Sequence, residues 1–227
     1  MDYPVYCEQM IFGDYFEPVN TITNLAFIIA SLLAFFNLKR KGNLEFRSVL
    51  LLFILFLIGI GSLLWHLYRS DVTVMMDSIP IMVFILSYLF IYSFHITNKL
   101  LHRLLIICGF FVFLPLMSIL LTKFFVYFQE NRISMYLLPI SYFLILQIYN
   151  RYYKVPVIKR SLIAIFIFLI SLFFRQIDLF VCEKISIGTH FIWHILNSIV
   201  LYKMIMLLYP KLNVEIDKVK DNSSNAI

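Results

Sequence analysis

The stretch SVLLLFILFLIGIGSLLWHLY, residues 48–68, contains no Asp, Glu, Lys or Arg. Wound as an α-helix, a segment of this length crosses the ~30 Å hydrocarbon layer of a bilayer with its backbone groups satisfied internally. Six further mainly apolar runs flank it, at roughly 21–38, 74–95, 101–121, 133–149, 159–180 and 187–209. Short connections separate them, and no soluble domain, repeat or low-complexity insert intervenes.

The composition agrees with this pattern. Of the 227 residues, 62% are hydrophobic and 14% charged, outside the range of soluble domains. The net charge of +6 is therefore read as serving membrane orientation, and no nucleic-acid partner is expected. The predicted fold is an all-α membrane protein, a seven-transmembrane-helix bundle. Its membrane domain spans 21–209, preceded by an extracytoplasmic segment (1–20) and followed by a polar cytoplasmic tail (210–227). The acidic opening lacks a basic n-region, so no cleavable signal peptide is expected.

Basic residues near span ends stay on the cytoplasmic side. Lys39, Arg40, Lys41, Arg47, Lys99, Arg103, Arg151, Lys154, Lys159, Arg160, Lys203, Lys211, Lys218 and Lys220 share one side. Only Arg69, Lys123, Arg132, Arg175 and Lys184 fall on the other. The N-terminus is accordingly placed outside and the C-terminus in the cytoplasm. Lys203 lies toward the cytoplasmic end of the last run, where a snorkelling base is expected rather than a retinal attachment point.

Ionisable groups inside spans are costly and mark function. Ser62 and His66 fall near the outer end of the second run, Asp77 in the opening turns of the third, Asp178 at the end of the sixth, and His190 and His194 at the start of the seventh. Residues four apart share a helix face, so His190 stacks with His194 and Ser62 with His66. Three imidazoles around one point suit Zn²⁺ with a fourth position open. Each feature alone has a plainer account. The histidines could be interior hydrogen-bonding residues, Ser62 could bond its own backbone, Asp77 could be a first-turn acid, and Asp178 could pair with Arg175. Their shared depth favours the metal reading. Cys7 and Cys182 fall on the same outer side, where a bridge and two free thiols both stand.

GSLLWHLYRSDVTVMMDSIP resembles the G-S-x-x-x-H segment of alkaline ceramidases and the wider CREST superfamily of seven-helix membrane hydrolases. RQIDLFVCE and GTHFIWHILN are similar to that family's I-D-x-x-x-C-E and H-x-x-W-H-I-L elements. YCEQMIFGDYFEPVNTITNL is similar to its W-C-E segment and following E-x-x-N-T-x-S-N-L. The resemblance runs in order from Cys7 to Asn197.

It implies a zinc-dependent amidase that hydrolyses ceramide, or a related N-acyl lipid, to a fatty acid and a sphingoid base by attack of zinc-bound water. His66, His190 and His194 would be the zinc ligands, Ser62 and Asp77 the catalytic partners, and Asp178 a supporting residue. The chain has no HExxH glutamate, so Asp77 is assigned as the proton carrier and Ser62 as the donor to the oxyanion. The resemblance also implies a calcium site using Glu8 and Glu17. Val5 and Met10 replace the family's Asp and Asn there, leaving Asp2 or Asp14 to complete it. It favours a Cys7–Cys182 bridge. The short N-terminus and EPVNTITN look closer to bacterial ceramidase-like proteins, which favours a bacterial inner (cell) membrane, or the ER or Golgi in a eukaryote. The partners expected are the bilayer and its lipid substrate. A non-catalytic seven-helix receptor or a metal or proton transporter is the alternative.

Overall fold

A computed structural model of the chain describes residues 6–12, 16–124, 134–152 and 158–209. Among these, regular structure is helical, with no strand. In chain order the helices are α1 (Cys7–Phe12), α2 (Pro18–Thr23), α3 (Leu25–Arg40), α4 (Phe46–Tyr68), α5 (Asp71–Ile96), α6 (Leu100–Phe124), α7 (Ser134–Tyr152), α8 (Ile158–Ile177) and α9 (His190–Leu208), with a 3-10 turn over Asp178–Val181 after α8.

Six segments among the described residues are long and apolar enough to cross a bilayer: Pro18–Arg40, Phe46–Tyr68, Asp71–Ile96, Leu100–Leu120, Ser161–Val181 and His190–Leu208. They fit a multi-pass membrane protein. The run expected at 133–149 lies in α7, whose apolar stretch is the shorter Tyr136–Ile148. Ser134 before it and Asn150 and Arg151 after it limit its length. Asp2, Val5, Asp14, Arg132 and Lys154, and the tail from 210 onward, lie outside the described residues.

The chain divides into two compact units, Met1–Phe84 with Phe166–Ile227, and Ile85–Ile165. Within the first, α3 packs along α4 and α9, and α2 packs against α4 and α9. Within the second, α6 packs on α7.

Local sequence sets the geometry of the first unit. At the start of α4 the Ser48 hydroxyl accepts the Glu45 N–H at 2.9 Å, satisfying a donor left unpaired at a helix start. The helix ends at Arg69, whose φ of 49° is left-handed and whose N–H donates to the Trp65 carbonyl at 3.0 Å. Ser70 and Thr73 then exchange caps, Thr73 N–H to Ser70 Oγ at 3.2 Å and Ser70 N–H to Thr73 Oγ1 at 2.9 Å, and α5 begins.

Gly61 fixes how closely α4 and α5 approach. A Cβ at this position would run into the main-chain carbonyl of Met76. That carbonyl lies four residues before Pro80, which has no N–H to offer it. The proline thus frees an acceptor that the glycine Cα–H meets, and Ser62 is brought to the level of Asp77.

The last helix departs from the apolar run expected from residue 187. Gly188 has φ +67° and Thr189 is the N-cap, so α9 starts at His190. A Cβ on Gly188 would meet the Asp178 carboxylate and Cys7 Cβ, so glycine is required there both for conformation and for space.

Candidate metal centre

His66 lies in the last turn of α4, His190 opens α9, and His194 follows one turn later. All three are buried. The helix ends place them together: ring centroids are 5.3 Å apart for His66 and His190, 4.8 Å for His66 and His194, and 4.6 Å for His190 and His194. One ring nitrogen from each lies within 4.8 Å of the others, making a group that could hold a metal ion.

Two of the rings are oriented from behind. His66 Nδ1 is 2.6 Å from Glu17 Oε2, and a carboxylate can only accept, so the ring carries its proton on Nδ1. His194 Nδ1 is 3.0 Å from Thr23 Oγ1. The Thr23 hydroxyl also lies 2.8 Å from the Val19 carbonyl, which takes its proton and leaves a lone pair for the imidazole N–H. In both rings Nε2 is left as the unprotonated donor, the tautomer that a metal requires. The third ring, His190, is stacked on Tyr6 at 3.8 Å.

These supports belong to α2 and the segment before it. Glu17 also receives the Asn20 side-chain N–H at 2.8 Å and pairs with Arg69 at 3.0 Å. Glu8 receives the backbone N–H groups of Val19 at 2.5 Å and Asn20 at 2.8 Å, capping the start of α2 from another element. Burial pushes the Glu8 carboxyl above its ordinary range, against the two backbone donors that pull it down. Burial raises Glu17 likewise, against Arg69 and Asn20.

Asp178 acts on the other side. Its Oδ1 accepts the N–H of Thr189 at 2.6 Å and of His190 at 2.9 Å, and its Oδ2 accepts the Cys7 N–H at 2.9 Å. A carboxylate at a helix N-terminus is favoured by the unpaired donors there. Here it also ties α1 to the helix carrying two of the imidazoles. Cys7 and Cys182 are joined by a disulfide, with Cα atoms 5.3 Å apart, so the same segment is held covalently. Cys108 is free and exposed.

Ser62, one turn before His66, hydrogen-bonds the half-buried Asp77 carboxylate. The structure therefore gathers Ser62, Asp77, His66, His190, His194 and Asp178, as well as Glu8 and Glu17, within the first unit. Sequence reasoning did not single out Thr23, Asn20, Tyr6 or Arg69. Thr23 stands in NTITN, one of the stretches that carried the resemblance, but no periodicity links it to a histidine 171 residues away.

A comparison with curated proteins finds no match. The family model described as Ceramidase matches residues 6–224, which takes in every residue of this site. On that match over nearly the whole chain, the protein belongs to the ceramidase family.

Proposed function

We propose that the chain is a zinc-dependent intramembrane amidase that hydrolyses ceramide or a related N-acyl lipid to a fatty acid and a free sphingoid amine. The observation that carries this reading is the convergence of three buried imidazoles beside a Ser62–Asp77 pair in a member of the ceramidase family. The fold supporting it is read as seven spans with the N-terminus outside, the basic residues lying overwhelmingly on the opposite side.

The donor set fits zinc. His66 and His194 commit Nδ1 to Glu17 and Thr23, so each turns a lone pair away from its support in a cluster of closely packed rings. Acceptors gathered without a donor or cation between them would repel one another, and an ion resolves this. His66, His190 and His194 would hold the zinc, which when bound supplies Lewis-acid activation of water and of the amide carbonyl.

The remaining chemistry belongs to the chain. Asp77 takes the proton lost by the attacking water and returns it to the leaving amine nitrogen, so that the C–N bond breaks with a neutral amine departing. Ser62 rests on the Asp77 carboxylate. Once that carboxylate is protonated it is a poorer acceptor, and the hydroxyl turns to donate to the oxyanion developing on the carbonyl, a contribution of roughly 3–4 kcal/mol to the barrier. Glu17 and Thr23 hold two rings in one tautomer, and Asp178 fixes the helix end that bears the third.

Incubating the purified protein with a panel of N-acyl lipids, with and without a zinc chelator, tests this reading. Chelator-sensitive release of fatty acid is expected, together with stoichiometric zinc and its loss in His194→Ala. A metal-free protein, or full amidase activity in His194→Ala, would overturn it. Movement of an ion across vesicles without lipid turnover would point to a transporter instead.

A further inference from the structure

Arg69 is the one non-glycine residue with positive φ among the described residues, a conformation uncommon for a side chain of this size. The left-handed turn directs it inward, and only 8% of it is exposed. Its guanidinium pairs with Glu17 Oε1 at 3.0 Å and donates to Gln9 Oε1 at 3.0 Å. It lies over the rings of Trp65 at 4.2 Å and Tyr6 at 5.5 Å. Four contacts thus connect α1, the residue before α2, and the end of α4.

The resemblance implies calcium at the acids of this segment, and the geometry tests that. Calcium takes six to eight oxygen ligands. Both Glu8 oxygens already face the backbone N–H groups of Val19 and Asn20. Glu17 Oε2 faces His66 and Asn20, and Glu17 Oε1 faces Arg69. A divalent ion bound to Glu17 Oε1 would lie against a buried guanidinium. Among the described residues the three histidines are the sole group of metal-ligating side chains. Glu8 and Glu17 therefore do not fit a calcium ion.

We infer that Arg69 is the internal cation of this end of the molecule, a positioning residue that fills with a guanidinium the role the family gives to calcium. It balances Glu17, fastens Gln9 of the N-terminal segment, and through Glu17 fixes the ring of His66. Two acceptors and two aromatic faces are matched by one planar fork, which a lysine ammonium cannot reproduce. The part concerning His66 rests on the proposed zinc site; the part concerning calcium stands apart from it.

The experiment uses the full chain in detergent and reads zinc affinity by chelator competition and thermal unfolding. For the unaltered protein, EGTA and millimolar calcium are expected to leave both unchanged. Arg69→Met should weaken zinc binding about 10–100-fold, the range for loss of a group supporting a metal ligand. Arg69→Lys should fall between the two. In the Glu17→Gln background, Arg69→Met should add little, because Arg69 acts through Glu17, whereas a merely structural role would add in full. Stabilisation of the unaltered protein by calcium, or unchanged zinc affinity in a folded Arg69→Met, would overturn the inference. If Arg69→Met fails to fold, Arg69→Lys carries the affinity arm and unaltered affinity there overturns it. If the unaltered protein binds no zinc, the zinc reading fails and the calcium arm alone decides this one.

Discussion

Among the described residues both units bury neutral polar groups, but buried acids, histidines and an arginine occur in the first alone. In the first, Glu8, Glu17, Arg69, Asp178 and three histidines are withdrawn from the surface. In the second, Gln147 donates to the Tyr92 hydroxyl at 2.6 Å, Ser161 donates to Gln147 Oε1 at 3.0 Å, and Tyr142 donates to the Ile106 carbonyl at 2.6 Å. A neutral hydrogen bond is cheap to bury and fastens helices. A buried charge costs several kcal/mol unless it is matched from every side. Glu8, Glu17, Arg69 and Asp178 are each matched by a residue from another element, an arrangement that packing alone does not require. Under the proposed function the contrast assigns chemistry to the first unit and scaffolding to the second, and it can be broken by substitution.

The largest expected effect is at Asp77. Asp77→Asn keeps the shape of the side chain and removes the proton acceptor, so fatty-acid release should fall about 10²–10⁴-fold. Zinc content should stay stoichiometric, since Asp77 is not among the three ligands. A variant within tenfold of the unaltered protein would remove Asp77 from the reaction. Gly61→Ala comes next. The added methyl meets the Met76 carbonyl, so α4 and α5 must separate at a cost of about 1–3 kcal/mol, seen as a lowered midpoint of thermal unfolding. The same separation pulls Ser62 from Asp77 and should lower turnover more than it lowers zinc content.

What the sequence revealed divides along the same line as these two predictions. Spacing within one helix was legible: a step of four positions from His190 to His194, or from Ser62 to His66, puts both on one face through the helical repeat alone. The apolar runs were legible because the bilayer imposes a length. Support across elements was not. Glu17 lies 49 residues from His66, and Asp178 caps a helix that begins 12 residues later. Such pairs arise from packing and leave no periodicity. The start of α9 was misplaced because Gly188 and Thr189 read as part of an apolar run, while a left-handed glycine sets the boundary. The six-residue α1 was missed since it is too short to carry a pattern and is held by Asp178 and a disulfide.

Thr23 gives a smaller effect that separates ring support from ring identity. Thr23→Val keeps the volume and deletes the acceptor of His194 Nδ1, so the imidazole loses its fixed tautomer. Zinc affinity should drop about tenfold, the lower end for loss of an outer-shell partner. Thr23→Ser should restore it, because the hydroxyl is retained. If the valine variant holds zinc as tightly as the unaltered protein, the hydrogen bond is incidental.

Gln147 is the counterpart in the second unit, and the smallest effect is expected there. Its side chain is buried at 3% exposure and links Tyr92 to Ser161 through both ends of the amide. Gln147→Leu removes both links and substitutes apolar volume that the interior accepts. Each hydrogen bond contributes about 0.5–1.5 kcal/mol net, and interhelical bonds in membranes average nearer ~0.6 kcal/mol, so the loss should be about 1 kcal/mol of stability. Zinc affinity and fatty-acid release should stay within about twofold, a change under 0.5 kcal/mol at RT ≈ 0.59 kcal/mol. A neutral chain that only fastens helices predicts this separation between stability and function. If Gln147→Leu instead abolished turnover while the fold and zinc content persisted, buried neutral polarity in the second unit would be part of the chemistry, and the division drawn between the units would be wrong.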